Sequence, residues 1–321
     1  MPRVLVVDKV HPSGLALLRQ RPGITVETLE VPTPATLLEG VRGADGIVIR
    51  TSPLPGDAIA AAPQLKIVSR HGVGYDNVDL AALNSRRIPL AVVGSVNSVS
   101  VAEHALYLLL ATMKCGAAYD RAVRTGPWGF RNSLAAREID GKTLLILGYG
   151  RIGREVVRRA AAFGMRILVH DPFLAASVVA APAEPAGDLD TALAEADAVS
   201  LHLPLTAESR HIIDAARLAR MKPSAVLICT ARGGLIDEAA LAAALREKRL
   251  AAAGLDVFAE EPPPADHPLL GLDNIVLSPH SASLTEESAI RMSLVAAQNC
   301  LDGLDGKLDP SLVVNREVLS P

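Results

Sequence analysis

Apolar positions along the chain fall into two kinds of segment. Short continuous runs occur at Val4–Val7, Ile24–Thr28, Gly46–Ile49, Leu65–Ser69 and Ile88–Val93, and again at Leu144–Leu147, Arg166–Val169, Ala198–Leu201, Ala225–Ile228, Ala252–Val257 and Ile275–Leu277. Runs without polar alternation read as strands covered on both faces, as in parallel sheets. Between them, helical patterns run over Ser13–Arg19, Pro34–Val41, from Asp79 onward, over Ser98–Met113, up to Ala162, and over Glu238–Arg246 and Glu286–Cys300. Alternation of strand and helix predicts an α/β chain whose parallel sheets carry helices on both faces. Ser98–Met113 reads as the crossover between two halves, with Ser98 and the Ser100/Glu103 pair as candidate caps. Two doubly wound domains are expected: residues 1–99 with 286–321, and residues 100–285 inserted between them.

Within the second set, the strand ending at Leu147 breaks into Gly148-Tyr149-Gly150-Arg151-Ile152-Gly153 before a helix begins. A first glycine permits the tight turn, a second lets a pyrophosphate approach the backbone, and a third allows close helix–strand packing. The N–H groups and positive dipole end of the following helix favour phosphate. Gly164 is placed to end that helix. Asp171 follows Gly153 by 18 residues and lies just past the next strand. That position suits an acid accepting ribose hydroxyls, or one that only solvates a loop. The next residues are Pro172 and Phe173 rather than arginine, so a 2′-phosphate would meet carboxylate repulsion. NAD is therefore expected over NADP, in a Rossmann-type domain.

Composition narrows the classes. Half the residues are hydrophobic but only 3% aromatic, so Ala, Leu and Val must pack the core. A formal charge of −3 gives no electrostatic case for nucleic acid or an anionic membrane. Cys115, Cys229 and Cys300 make neither a disulfide framework nor a metal-spaced set, so no metal and a reducing, cytoplasmic setting are expected. The N-terminal apolar stretch is too short for a signal peptide and is interrupted by Asp8. The apolar run Ala105–Met113 falls well short of the roughly 18 residues a membrane helix needs.

Polar residues recur just after the predicted strands, where open α/β sheets bind ligands. In the first half these are Arg50, and Arg70 with the loop Gly72-Val73-Gly74. Backbone N–H groups there suit a carboxylate, a plain turn into the helix at Asp79 being the alternative. Two arginines converging beside the loop would attract an acidic substrate. In the second half the positions are His202-Leu203-Pro204, Thr230-Ala231-Arg232, Asp256, Glu260-Glu261 and Ser278-Pro279-His280. Glu103 and His104 read as structural, and the Trp128 loop as a cover for a ligand or a neighbouring subunit.

Four stretches, RHGVGYDNVDL (70–80), GKTLLILGYGRIGREV (141–156), CTARGGLIDEAAL (229–241) and GLDVFAEEPPP…NIVLSPH (254–280), resemble the D-isomer-specific 2-hydroxyacid dehydrogenases, with the D-3-phosphoglycerate dehydrogenase branch the nearest in pattern. The resemblance implies a Rossmann-type NAD-binding domain inserted in a flavodoxin-like substrate domain. It implies reversible conversion of a 2-oxo acid to its D-2-hydroxy acid, including 3-phosphohydroxypyruvate. Arg232 matches the arginine gripping the substrate carboxylate, a task for a planar guanidinium. His280 matches the proton donor and acceptor, and Glu261 the carboxylate holding its other ring nitrogen. Glu260 leaves a register ambiguity; the Glu-Pro pairing favours Glu261.

Asp256 matches the residue receiving the nicotinamide carboxamide, with the backbone around Thr230 and Ala231. Leu203 and Pro204 match the adenosine side, and Arg151 and Ile152 the pyrophosphate side. A homodimer is likewise implied. Closure of the halves on ligand is expected at the two linking segments, near 97–100 and 283–287. His71 stands where that branch commonly has a small residue, and fits either the substrate pocket or the loop. Ending at residue 321, the chain is expected to lack the branch's regulatory domain. The alternatives are a glyoxylate or hydroxypyruvate reductase, and an NAD(H)-sensing binding protein like the corepressors built on this scaffold.

Overall fold

A computed structural model describes residues 1–319. The chain forms two compact units, one of Met1–Asn97 with the segment from Leu284 onward, the other of Ser98–Ser283. Each is built on one sheet whose described strands pair in parallel, with an antiparallel bridge from Ala91 to Val313 beside the first.

In the first unit, β1 (Arg3–Val7), β2 (Thr25–Leu29), β3 (Gly46–Ile49), β4 (Ile67–Arg70) and β5 (Leu90–Ala91) lie in the order β2-β1-β3-β4-β5. This is the flavodoxin-like arrangement. The continuous apolar runs are explained by two cores. Val4, Val6 and Val48 face the helices Pro12–Gln20 and Glu286–Leu304, through Leu18, Met292 and Ala296. Leu5, Val7, Ile47 and Ile49 face the opposite layer, with Leu37, Ile59 and Leu83. Among the described strands of this unit, β2 at the edge is the one largely exposed, and it mixes Thr and Glu with Val and Leu.

In the second unit, β6 (Thr143–Leu147), β7 (Arg166–His170), β8 (Ala183–Pro185), β9 (Ala198–Leu201), β10 (Val226–Cys229), β11 (Ala252–Leu255) and β12 (Ile275–Leu277) take the order β12-β11-β10-β9-β6-β7-β8. Counted from β6, this is the dinucleotide-binding order 3-2-1-4-5-6 with one further strand. Its strand order reverses between β6 and β9, the place where such sheets take their ligand. Leu144 and Ile146 pack beneath the helices Ser98–Met113 and Arg151–Ala162, and Leu145 and Leu147 pack on the other face.

Several expectations change. Ile88–Val93 shrinks to Leu90–Ala91, because Pro89 lacks an N–H and the Val92 and Val93 N–H groups go to Leu312 and Gly72. Ser100 lies inside its helix rather than capping it, and Glu103 pairs with Arg159 at 3.4 Å. Strand β8 and the helices Gly116–Thr125, Leu189–Glu195 and Ala215–Arg220 escaped the pattern, being short and poor in large apolar residues.

Candidate active site

The polar positions of the second unit follow the carboxyl ends of five adjacent strands: Gly148 after β6, Leu203 after β9, Arg232 after β10, Asp256 after β11 and His280 after β12. At the β6 turn, Gly148 has φ +95°, and a Cβ there would stand 2.8 Å from the His202 carbonyl oxygen. A Cβ at Gly153 would collide with the Gly148 carbonyl oxygen at 2.1 Å. Gly150 differs: its Cβ would meet nothing within 4 Å, so protein packing does not require a glycine there. It caps the Arg151–Ala162 helix without any side-chain hydrogen bond, whereas Asp188, Asp214 and Asp237 cap theirs through carboxylates. An open, uncapped helix start fits a pyrophosphate. Arg151 is exposed there, and Ile152 packs against the core.

Leu203 is buried against the turn, while Pro204 is exposed. Asp171 accepts the Tyr149 N–H at 2.9 Å and the Phe173 N–H at 3.1 Å, bracing the glycine turn and remaining partly exposed. The Thr230 hydroxyl is buried, and no partner meets it among the described residues. A buried hydroxyl without a partner is costly unless a ligand supplies one. These features together fit a bound dinucleotide.

The Glu261 carboxylate accepts the Phe258 N–H at 3.0 Å and meets His280 Nδ1 at 2.6 Å. Burial alone would raise the Glu261 carboxyl, but the hydrogen bonds from His280 and Phe258 outweigh it and hold it below the ordinary value. An ionised carboxylate only accepts, so Nδ1 carries the proton and Nε2 is left for chemistry. The imidazole is 41% exposed, within reach of a substrate. The Arg232 positive charge also lowers Glu261, which places that guanidinium nearby. Close backbone contact brings the loops together, since a Cβ on Gly233 would sit 2.0 Å from the Phe258 carbonyl carbon. Glu260 is exposed and the His280 contact belongs to Glu261, which resolves the register.

Sequence reasoning placed Asp256 against a carboxamide and missed its visible task. Its side chain is fully buried. Oδ1 accepts the Ser278 hydroxyl at 2.6 Å and the Ser281 N–H at 2.9 Å, Oδ2 accepts the Ala282 N–H at 2.9 Å, and its carbonyl accepts the His280 N–H at 2.7 Å. In this structure Asp256 anchors the histidine loop.

In the first unit, Gly72 donates its N–H to the Arg70 carbonyl, whereas no acceptor meets the N–H of Val73 or Gly74 among the described residues. Arg70 is occupied as a brace, donating to the His71 carbonyl at 2.6 Å and to Asn77 at 3.2 Å. Asp8, not foreseen from sequence, accepts the N–H groups of Arg50, Thr51 and Ser52 and so shapes the turn after β3. Arg50 donates to the Lys9 carbonyl at 3.1 Å. His71 is buried with Nε2 2.9 Å from the Ser293 hydroxyl; burial, then the Arg50 charge, lowers it to about 4, so it is neutral. Its Nδ1 is buried without a partner among the described residues.

Comparison with known proteins follows the same lines. Residues 106–282 match the family model described as D-isomer specific 2-hydroxyacid dehydrogenase, NAD binding domain. The chain is 38% identical to a glyoxylate reductase of Korarchaeum cryptofilum over 99% of its own length and 97% of that protein's. It is also 38% identical to a D-3-phosphoglycerate dehydrogenase of Methanocaldococcus jannaschii, of which it spans 59%. A crystal structure of a Thermus thermophilus protein superimposes with a TM-score of 0.90 at 37% identity, covering 97% of this chain and 99% of that one.

Proposed function

Because this chain belongs to the D-isomer specific 2-hydroxyacid dehydrogenase family of NAD-dependent oxidoreductases, we propose that it interconverts a short 2-oxo acid and its D-2-hydroxy acid through Arg232, Glu261 and His280. The observation carrying this reading is the 2.6 Å contact between His280 Nδ1 and the ionised Glu261, which leaves Nε2 available. When bound, the nicotinamide supplies or takes up the hydride. Arg232 grips the substrate carboxylate, a planar donor set against a planar acceptor. His280 Nε2 gives a proton to the carbonyl oxygen during reduction and removes it during oxidation. Glu261 holds the ring in the required tautomer and balances the charge of the protonated state.

The cofactor would be held at the glycine turn, the N–H groups at Gly150, Arg151 and Ile152 offering donors for its pyrophosphate and Asp171 an acceptor for its ribose. Leu203 and Pro204 line the adenosine side. Thr230, with the Ala231 backbone, meets the carboxamide; the Asp256 part in that contact is proposed alongside its role as anchor. Gly72, Val73 and Gly74 with Arg50 are proposed as the substrate elements of the first unit, Arg70 serving them as brace. A phosphorylated three-carbon acid would draw on Arg50 and Arg70 for its phosphate. Since Arg70 is engaged within its loop, an unphosphorylated acid such as glyoxylate or hydroxypyruvate is the reading we favour.

NADH oxidation against phosphohydroxypyruvate, hydroxypyruvate, glyoxylate, pyruvate and bulkier 2-oxo acids, with NADPH in parallel, tests the proposal. Preference for an unphosphorylated acid supports it, and preference for phosphohydroxypyruvate keeps the chemistry but overturns the substrate. Tight NADH binding without turnover on any acid would favour a nucleotide-sensing protein.

A homodimer is proposed through the face formed by the helices Ser98–Met113, Gly116–Thr125 and Arg151–Ala162. There a groove of about 960 Å³ includes Leu106, Leu110 and the half-exposed Tyr107 and Phe163. Y107E should shift sedimentation from dimer to monomer. No described helix is long and apolar enough to cross a membrane. The three free cysteines support a cytoplasmic setting.

A further inference from the structure

Two residues outside the expected set touch the anchor of the histidine loop. Ser278 Oγ donates to the fully buried Asp256 at 2.6 Å, and His104 Nε2 lies 2.7 Å from the same hydroxyl oxygen. The directions follow from chemistry. A serine hydroxyl has one proton, and here it goes to the carboxylate, so Oγ must accept from His104. His104 therefore carries its proton on Nε2, and the order is His104 N–H to Ser278 O–H to Asp256 Oδ1. A direct contact of 3.6 Å between His104 Nε2 and Asp256 Oδ1 completes the triangle. His104 sits in the second turn of the Ser98–Met113 helix, with its ring 5.5 Å from that of Tyr107 and one-fifth of its side chain exposed.

We propose that His104 is a positioning residue for the catalytic histidine, acting through Ser278 and Asp256. The loop it serves is short of other supports. It begins after the three-residue strand β12 and ends at Ser283, the last residue of the unit. His280 itself adopts φ +50°, a backbone conformation that a non-glycine residue holds only when its surroundings impose it. Asp256 imposes it by taking the Ser281 and Ala282 N–H groups and, through its carbonyl, the N–H of His280. A charge-assisted chain of donors is stronger than separate neutral bonds, and the His104 N–H fixes the Ser278 hydroxyl in the orientation that feeds it. Loss of that donor leaves the hydroxyl free to rotate and the carboxylate short of one bond. Displacements on the order of 1 Å at a reacting group cost about 100-fold in rate.

This inference rests on the proposed reaction, so its test includes a readout independent of turnover. H104L, S278A and H104Q are compared with wild type for kcat, for KM of NADH, and for amide hydrogen exchange of the 278–283 peptide. H104L and S278A should lower kcat about 10- to 100-fold, leave KM for NADH within about twofold, and speed exchange at Ser281 and Ala282. H104Q, whose side-chain amide can restore the donor, should return both kcat and exchange most of the way. Combining H104L with S278A should add little to either alone. Unchanged exchange in H104L, or H104Q behaving like H104L, overturns the proposal. If wild type turns over no 2-oxo acid, the function fails, and the exchange pattern still decides whether His104 holds the loop.

Discussion

At the scale of single residues, the proposed reaction divides its work among Arg232, Glu261 and His280 with separable losses. R232A should abolish turnover while leaving NADH affinity within about threefold, because its place is with the substrate; a parallel loss of NADH binding, measured by fluorescence titration, would contradict that role. H280N should lower kcat by about 100- to 10,000-fold, the usual worth of a placed acid–base group; near-normal turnover would refute it. The contact between His280 and Glu261 was legible because His280 stands in a specific motif after Ser-Pro, as Arg232 stands before paired glycines. Asp8 and His104 were not. Asp8 bonds a turn more than forty residues away, and His104 meets Ser278 across 174 positions. No local spacing records contacts made by strand order.

At the scale of elements, the glycine turn separates folding from binding. G153A places a methyl group against the Gly148 carbonyl and should destabilise the unit by more than about 2 kcal/mol, as overpacking against backbone does. G150A places it in open space, so stability should hold while NADH affinity falls by tenfold or more. Thermal melts with and without NADH separate the two, and equal destabilisation by both would contradict the assignment. Strands such as β3 and β9 were readable to the residue because both faces are covered by apolar neighbours. Strand β8, three residues ending in proline, is held by its pairing with β7 rather than by an apolar run. Tertiary pairing, not propensity, makes it a strand.

At the scale of the whole molecule, parallel sheets covered on both faces followed from alternating strands and helices, whereas the order of the strands required the coordinates. Burial also sets a pH limit. His71 falls from 6.5 to about 4 in the folded chain, so below pH 6.5 the unfolded chain takes up a proton that the folded chain refuses. The stability present above pH 6.5 is therefore lost as pH falls toward 4. This one group accounts for about 2 kcal/mol between pH 7 and pH 5. Denaturant unfolding at the two pH values should show this loss, and H71L should show a smaller one; an equal loss in the variant would assign the acid sensitivity elsewhere.

The central claim is hydride transfer to a 2-oxo carbon with His280 exchanging the proton at its oxygen. Reduction of hydroxypyruvate, or another turned-over 2-oxo acid whose hydroxy product is chiral, with NADH deuterated at the transferable C4 position, followed by chiral separation and mass spectrometry, tests it most directly. One deuterium at C2 of the D-2-hydroxy acid, lost together with turnover in H280N, is the expected result. An L-product, or a D-product carrying no deuterium at C2, would contradict it.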